Sequence, residues 1–511
     1  RCCCIEVTHT MVRILSQSLV RMFSKTKRIP LTLVDMHLRH EQLPFGFFFK
    51  ETLPINDLTE SLRQILTNNF SVVGGRICFQ EGQSVAIQCE EDDTVSLSHA
   101  VSDKTMDYWL NKGHSYSEGG GHPKLLPLFE PLFTPGRHDQ SSQNSTDNIG
   151  KSAKGSLATF RITHLSCGGT AIGVNFNHAV CDAASCFEFV KCWGLEMRRL
   201  EYPKISNNRS RATCAGMATR ESTECMVMEE LDRKPTSSLI SNFFEFMTNI
   251  LHTSPQQETV NKEITQKTED HTQGHEYIVL EFEPDLIHAM KRHGIQRQAG
   301  NDASGDSFVS TNDMISGYSW LLKRCLSDNQ DWCLSMVIDL RGRGGVARFH
   351  QDENGVFGNA LTNVFCSLAK SSDGGSSFTI HAISLAAVAI RASLTTGIPN
   401  ISDRVASSRL GTPKPHGNEG RPCFSTTSWS RFPYWKLIQF SDSSKLYGFH
   451  GHPSYPLPRG HSFSSVITPN QNGGFSCNLL LPREKVAQAR LLHQQAAQDF
   501  LEWQQKIDTI D

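Results

Sequence analysis

Over residues 170–176, apolar Ile172, Val174 and Phe176 alternate with small or polar residues after the Gly168-Gly169 pair, which predicts a buried strand. Ala183, Ala184, Phe187, Val190 and Trp193 then fall at helical spacing. His178, Ala179, Val180, Cys181 and Asp182 therefore occupy a junction between a strand and a helix, where rigid elements can hold functional side chains. A second strand and helix are predicted at 277–282 and 284–293, and the alternation of the two periods through both halves predicts an α/β fold.

Polar stretches divide the chain. Residues 135–156 read as a surface insertion ahead of the central strand, and 207–224 and 254–274, around an apolar 239–251, read as a crossover. Further loops are expected at 300–305, 371–376 and 411–421. A chain of 511 residues exceeds what one hydrophobic core supports. We therefore expect an N-terminal half (1–235), a crossover (236–275) and a C-terminal half (276–511).

The net charge of −2 gives no electrostatic reason to expect nucleic acid or an anionic membrane as partner. No apolar run reaches membrane-spanning length; residues 385–390 are stopped by Arg391. The 16 cysteines show neither a CxxC nor a regular pairing pattern, so a reduced, cytoplasmic compartment is the simpler expectation. Residues 11–28 are basic and lack acids, which suits either an organellar transit segment or a first strand and linker.

With 21 histidines, an H-x-x-x-D spacing arises by accident, and a second one stands at His99–Asp103 between a charged run and polar residues. The sequence offers Cys181 as a thiol, but nothing near it clearly lowers a thiol pKa, and it reads as a small packing residue. His450, His452 and His461 lie in a Pro/Gly-rich stretch without carboxylates and read as loop histidines, so no metal site is expected.

Several segments, in one order along nearly the whole chain, resemble the BAHD acyltransferases. The strand, the HAVCDA turn and the following helix resemble that family's HxxxD segment. Residues 29–38 (IPLTLVDMHL), 71–77 (SVVGGRI) and 310–320 (STNDMISGYSW) resemble its early Asp segment, its PLAGR turn and the helix opening its second half. Asp339-Leu-Arg-Gly-Arg343, Phe357-Gly-Asn359 and Thr427-Ser-Trp429 with Arg431-Phe-Pro433 resemble its DxRxR, FGN and TSWxRxP segments. The DFGWG signature is altered: Leu446-Tyr-Gly-Phe-His-Gly-His-Pro453 keeps Gly448, Gly451 and Pro453 without the leading Asp, for which Asp442 can substitute after a short insertion. The chain thus resembles a divergent member.

The resemblance implies two chloramphenicol acetyltransferase-like α/β domains with mixed sheets and an active-site channel between them. It implies His178 as general base, Asp182 turned away to orient the turn by pairing with Arg341 or Arg343, and Thr427 and Trp429 as donors to the oxyanion. Acyl-CoA would be a co-substrate rather than a permanently bound cofactor, with Ser310 and Thr311 near it, and the acceptor a small alcohol or amine attacking directly. A monomer is expected. A carrier-protein-dependent relative, a catalytically silent one that binds a partner, and a cysteine-dependent hydrolase are the alternatives; the first commonly has a second histidine where Asn177 stands.

Overall fold

The computed structural model describes residues 12–22, 26–31, 35, 38–39, 41–78, 85–111, 156–202, 275–299, 308–327, 332–339, 341, 357–367, 378–397, 423–432, 434–451 and 464–509. The expected surface insertion, the crossover and Arg343 fall outside them.

The first half runs β1 (Val12–Arg21), β2 (Lys27–Pro30), β3 (Gln42–Phe49), α1 (Ile55–Asn68), β4 (Arg76–Cys78), β5 (Ala86–Cys89), β6 (Thr94–Ser102), α2 (Met106–Asn111), β7 (Ala158–Leu165), β8 (Thr170–Asn177) and α3 (Ala183–Met197). The second runs β9 (His275–Phe282), α4 (Pro284–Ala299), α5 (Thr311–Leu326), β10 (Cys333–Asp339), β11 (Leu361–Cys366), α6 (Ile380–Gly397), β12 (Cys423–Ser428), α7 (Tyr434–Leu437), β13 (Leu446–Gly451), β14 (Ser465–Pro469), β15 (Phe475–Pro482) and α8 (Val486–Asp508). Two six-stranded sheets result, in the orders β1-β6-β7-β8-β3-β13 and β11-β10-β12-β14-β15-β9, with a small β2-β5-β4 sheet beside them. Both large sheets are mixed: β6–β7, β10–β12 and β12–β14 are parallel, and the remaining pairs antiparallel. This is the α/β architecture of two mixed sheets that the resemblance implied.

Each sheet has its own core. In the first, Val174 and Phe176 of β8 and Phe45 and Phe47 of β3 pack against Leu58, Leu62 and Ile65 of α1 and Phe187, Val190 and Trp193 of α3. The second gathers around α5, α6 and β15. Burial of apolar side chains drives both.

The halves are interlocked. β13, from late in the chain, pairs antiparallel with β3, so that Phe449 lies opposite Phe47 and His450 opposite Gly46. His450 thus has its backbone in a strand, a correction to its expected place in a loop; the cause is the open edge of β3, whose unpaired N–H and C=O groups take β13 as partner. Asp442, the stand-in for the missing DFGWG aspartate, meets Arg198 at 3.1 Å, but its side chain is 94% exposed, so the pair contributes little.

Gly194 on α3 lets the segment before β13 cross the helix closely. A Cβ there would collide with the backbone of Gln439, while neighbouring Ile438 and Phe440 belong to the first core. Gly194→Ala improves helix propensity by roughly 1 kcal/mol, but overpacking against backbone typically costs ~1 to 3 kcal/mol, so net destabilisation is expected. A lower urea midpoint would show it; a higher one would mean that the crossing segment simply moves away.

Candidate active site

β8 ends at Asn177, and its side chain turns the chain back on itself: Nδ2 donates to the Arg39 carbonyl at 2.9 Å and Oδ1 accepts from Ala179 N at 2.9 Å. His178 follows, 7% exposed, its N–H donating to the Glu41 carbonyl at 2.9 Å and its carbonyl accepting from Asn359 Nδ2 at 2.7 Å. The same Asn359 nitrogen donates to Asp35 Oδ1 at 2.7 Å. Among the described residues the His178 Nδ1 is buried without a hydrogen-bond partner.

Asp182 caps α3, its Oδ1 accepting from Ser185 N at 2.9 Å. Its Oδ2 accepts from Arg341 Nη1 at 2.7 Å and from Ala360 N at 2.9 Å. The carboxylate therefore points away from the imidazole into a cross-half junction. Burial pushes its pKa up, but the charge and hydrogen bond of Arg341, with the two backbone donors, outweigh this and hold it below the usual carboxylate range. Ser185 completes the junction: Oγ donates to the Gly358 carbonyl at 2.9 Å and accepts from Gly358 N and Arg341 Nη2, each at 3.0 Å. Phe357 packs edge-on against Phe70 with centroids 5.0 Å apart. The 339–341 and 357–360 segments thus fasten the histidine turn from the opposite half.

Trp429 also comes from that half, its ring tilted against Phe45 (5.4 Å between centroids) and edge-on to Phe187 (6.2 Å). Its backbone N–H donates to the Ile467 carbonyl at 2.8 Å, which fixes the residue. Both residues are buried, Trp429 at 6% and Thr427 at 7% exposure. Thr427 sits on β12 opposite Val466.

Ser310 and Thr311 lie elsewhere, at the start of α5. Ser310 Oγ accepts from Asp313 N at 3.2 Å while Asp313 accepts from Ser310 N at 2.8 Å, a capping box. No hydrogen bond links them to the His178 turn among the described residues.

The second H-x-x-x-D has another geometry altogether. His99 lies within β6, its Nε2 3.3 Å from His164 Nδ1, and Asp103 pairs with Lys104 at the surface. Cys181 is fully buried, and burial pushes the neighbouring Cys186 thiol far up. No group of three or more potential metal ligands occurs among the described residues. Sequence reasoning passed over Asn359 as a ligand of the turn and passed over Glu41 entirely; no local pattern marks either residue.

Two mixed sheets, with the histidine turn fastened by an arginine from the opposite half, define a two-sheet mixed α/β architecture. The model of the Transferase family matches residues 133–488, and the chain belongs to that family, the one of the BAHD acyltransferases. Acyl transferase 9 of Oryza sativa subsp. japonica is 28% identical over 138 residues, 27% of this chain and 28% of the relative. Minovincinine 19-hydroxy-O-acetyltransferase of Catharanthus roseus is 23% identical over 195 residues, 37% of this chain and 38% of the relative. The aligned stretches thus span less than half the length of either relative.

Among solved structures, vinorine synthase superposes with a TM-score of 0.56 at 17% identity, covering 93% of this chain and 96% of that one. TRI101 of F. sporotrichioides, complexed with coenzyme A and T-2, superposes with 0.52 at 15% identity over 91% and 97%. The condensation domain of the Monacolin K polyketide synthase MokA does so with 0.52 at 9% over 94% and 98%. At these identities the likeness is one of fold.

Proposed function

We propose that this protein moves an acyl group from acyl-CoA to a hydroxyl or amine of a small-molecule acceptor, with His178 as general base. The observation that carries the reading is the His178 turn: a histidine set at the junction of β8 and α3, the turn fastened across the halves by the Asp182–Arg341 pair at 2.7 Å. Family membership supports acyl transfer as the reaction, and TRI101, a fold neighbour, carries coenzyme A.

In this mechanism Nε2 of His178 takes the proton of the acceptor's O–H or N–H as that atom bonds to the thioester carbon. The carbonyl electrons move to oxygen, and donors aimed at that oxygen stabilise it. As the carbonyl re-forms, the C–S bond breaks and the imidazolium returns the proton to the leaving thiolate. No acyl-enzyme forms. Asp182 and Arg341 keep the turn in register and touch no substrate, and Ser310 and Thr311 would approach CoA from the start of α5 through their backbone. We expect the N-terminal half to bring the base and the C-terminal half the oxyanion donors, in a monomer acting in the cytoplasm.

Thr427 and Trp429 are the oxyanion donors of this reading, supported by their burial on one segment, with the Trp429 ring in an aromatic cluster beside Phe45 and Phe449. Thr427→Val and Trp429→Phe keep the packing and remove the donors. Each is expected to lower kcat by ~10² to 10³-fold, the usual effect of losing one such donor, with KM for acyl-CoA nearly unchanged. A loss confined to KM would make them binding residues instead.

The primary experiment is thiol release by the purified chain with acetyl-, malonyl-, long-chain and aromatic acyl-CoAs against pooled alcohols and amines. Acceptor-dependent release establishes the activity. A chain that binds no CoA at all favours the carrier-dependent or partner-binding alternative, whose fold is the same.

A further inference from the structure

The histidine of the second H-x-x-x-D takes no part in the His178 turn, yet it has a close partner. In the parallel pairing of β6 with β7, Ile162 stands opposite His99 and His164 opposite Val101, so both imidazoles leave one face of the sheet, beside Leu97 and Ile162 of the first core. Both side chains are half-buried. Nε2 of His99 lies 3.3 Å from Nδ1 of His164, and Nε2 of His164 lies 3.0 Å from the Leu53 carbonyl. A carbonyl only accepts, so His164 carries its proton on Nε2 and turns the lone pair of Nδ1 towards His99.

The contact is a poor hydrogen bond and a good ligand spacing. At 3.3 Å it is longer than the ordinary ~2.7 to 3.2 Å of an N–H donor. The ring centroids are 5.0 Å apart, closer than two imidazoles set end to end across that gap, so the rings lean together. Two nitrogens bound to one tetrahedral ion at ~2.0 to 2.1 Å stand ~3.3 to 3.4 Å apart. The Leu53 carbonyl supplies what a ligating histidine ordinarily has, an acceptor for the other ring N–H that fixes tautomer and orientation. Burial, and then the neighbouring imidazole of His164, lower the His99 pKa, which favours the neutral ring that a cation requires.

We propose that His99 and His164 form a two-histidine binding site for a divalent transition-metal ion, Zn²⁺ above all, with water completing the coordination. Imidazole nitrogens suit Zn²⁺, Cu²⁺ and Ni²⁺, whereas Mg²⁺ and Ca²⁺ take oxygen ligands. No third protein ligand stands with the pair among the described residues. On binding, His99 moves its proton from Nε2 to Nδ1, while His164 already has the ligating tautomer. The ion clamps β6 to β7 and, through Leu53, to the entry of α1. Sequence gives no sign of the site, because the two residues are 65 positions apart and meet only through strand pairing.

Zn²⁺ titrated into metal-free, histidine-¹⁵N-labelled full-length protein tests this, with His99→Ala and His164→Ala assigning the two rings. Nε2 of His99 and Nδ1 of His164 are expected to shift together, and calorimetry to find that either variant has lost an equivalent of bound Zn²⁺ that wild type retains. Zn²⁺ should raise the thermal midpoint of wild type and leave that of His99→Ala unmoved, and Mg²⁺ should move neither. His99→Gln, which keeps a donor for His164 Nδ1, replaces the alanine variant if that one unfolds. Wild-type protein in which no histidine ring signal shifts at saturating Zn²⁺ overturns the proposal whether or not any variant folds. So does a folded His99 variant that binds Zn²⁺ with wild-type stoichiometry and affinity, since the ion is then held by other histidines or by cysteines.

Discussion

His178→Ala is expected to lower acyl transfer by ~10² to 10⁴-fold, the range that one positioned base contributes. The side chain makes no hydrogen bond among the described residues; only the backbone N–H and C=O of His178 hold the turn, and alanine retains both. The thermal midpoint should therefore stay close to that of wild type, and CoA binding should persist. Removing an imidazole with an unpartnered buried nitrogen even relieves a desolvated polar group. Thiol release measured beside CoA binding and thermal unfolding separates the outcomes. A variant that turns over at the wild-type rate would remove His178 from the mechanism.

Breaking the Asp182–Arg341 pair should act in the opposite order, on stability first. The Asp182 side chain is 1% exposed and that of Arg341 21%, with Asp339 at 3.1 Å as the arginine's second partner. Arg341→Met leaves a buried carboxylate with only backbone donors, and removal of one member of such a pair typically costs ~3 to 5 kcal/mol. Asp182→Asn should cost less, because Asp339 still neutralises Arg341 and the amide oxygen can still cap α3. The double variant should lose less than the sum of the singles, since both singles break the same contact.

The pH dependence has a definite sign. The folded-state pKa of Asp182 lies below its unfolded value, so the stabilisation is complete above the ordinary carboxylate range and is lost as pH falls through the lower, folded value. Urea midpoints of wild type and Asp182→Asn should therefore differ at neutral pH and converge in acid. Equal midpoints at neutral pH would mean that the ion pair contributes nothing. Activity is expected to fall in both variants, because the turn carrying His178 is bonded to the same junction through Gly358 and Asn359.

The elements bearing the site were legible because each declares its own period. The strand anticipated at 170–176 is observed as Thr170–Asn177, and the helical spacing from Ala183 is observed as Ala183–Met197 with Asp182 as its cap. The two H-x-x-x-D spacings were separable by their surroundings alone, since only one leaves its histidine at the end of a strand. The strand of His450 was hidden because Gly-rich sequence carries no clear period, and its pairing depends on a distant edge.

Local pattern by itself determined the class of fold, the junction between β8 and α3, and the histidine placed there, because periods of 2 and 3.6 residues and a capping aspartate act over a few residues. Family resemblance added which distant segments belong to one site. Only the tertiary structure decided that β13 closes the first sheet, that Asp182 spends its carboxylate on Arg341, and that the Glu41 carbonyl holds the His178 N–H. These are matters of which edges pair and which charges share a buried space, and they are settled by burial and hydrogen-bond satisfaction over the whole chain.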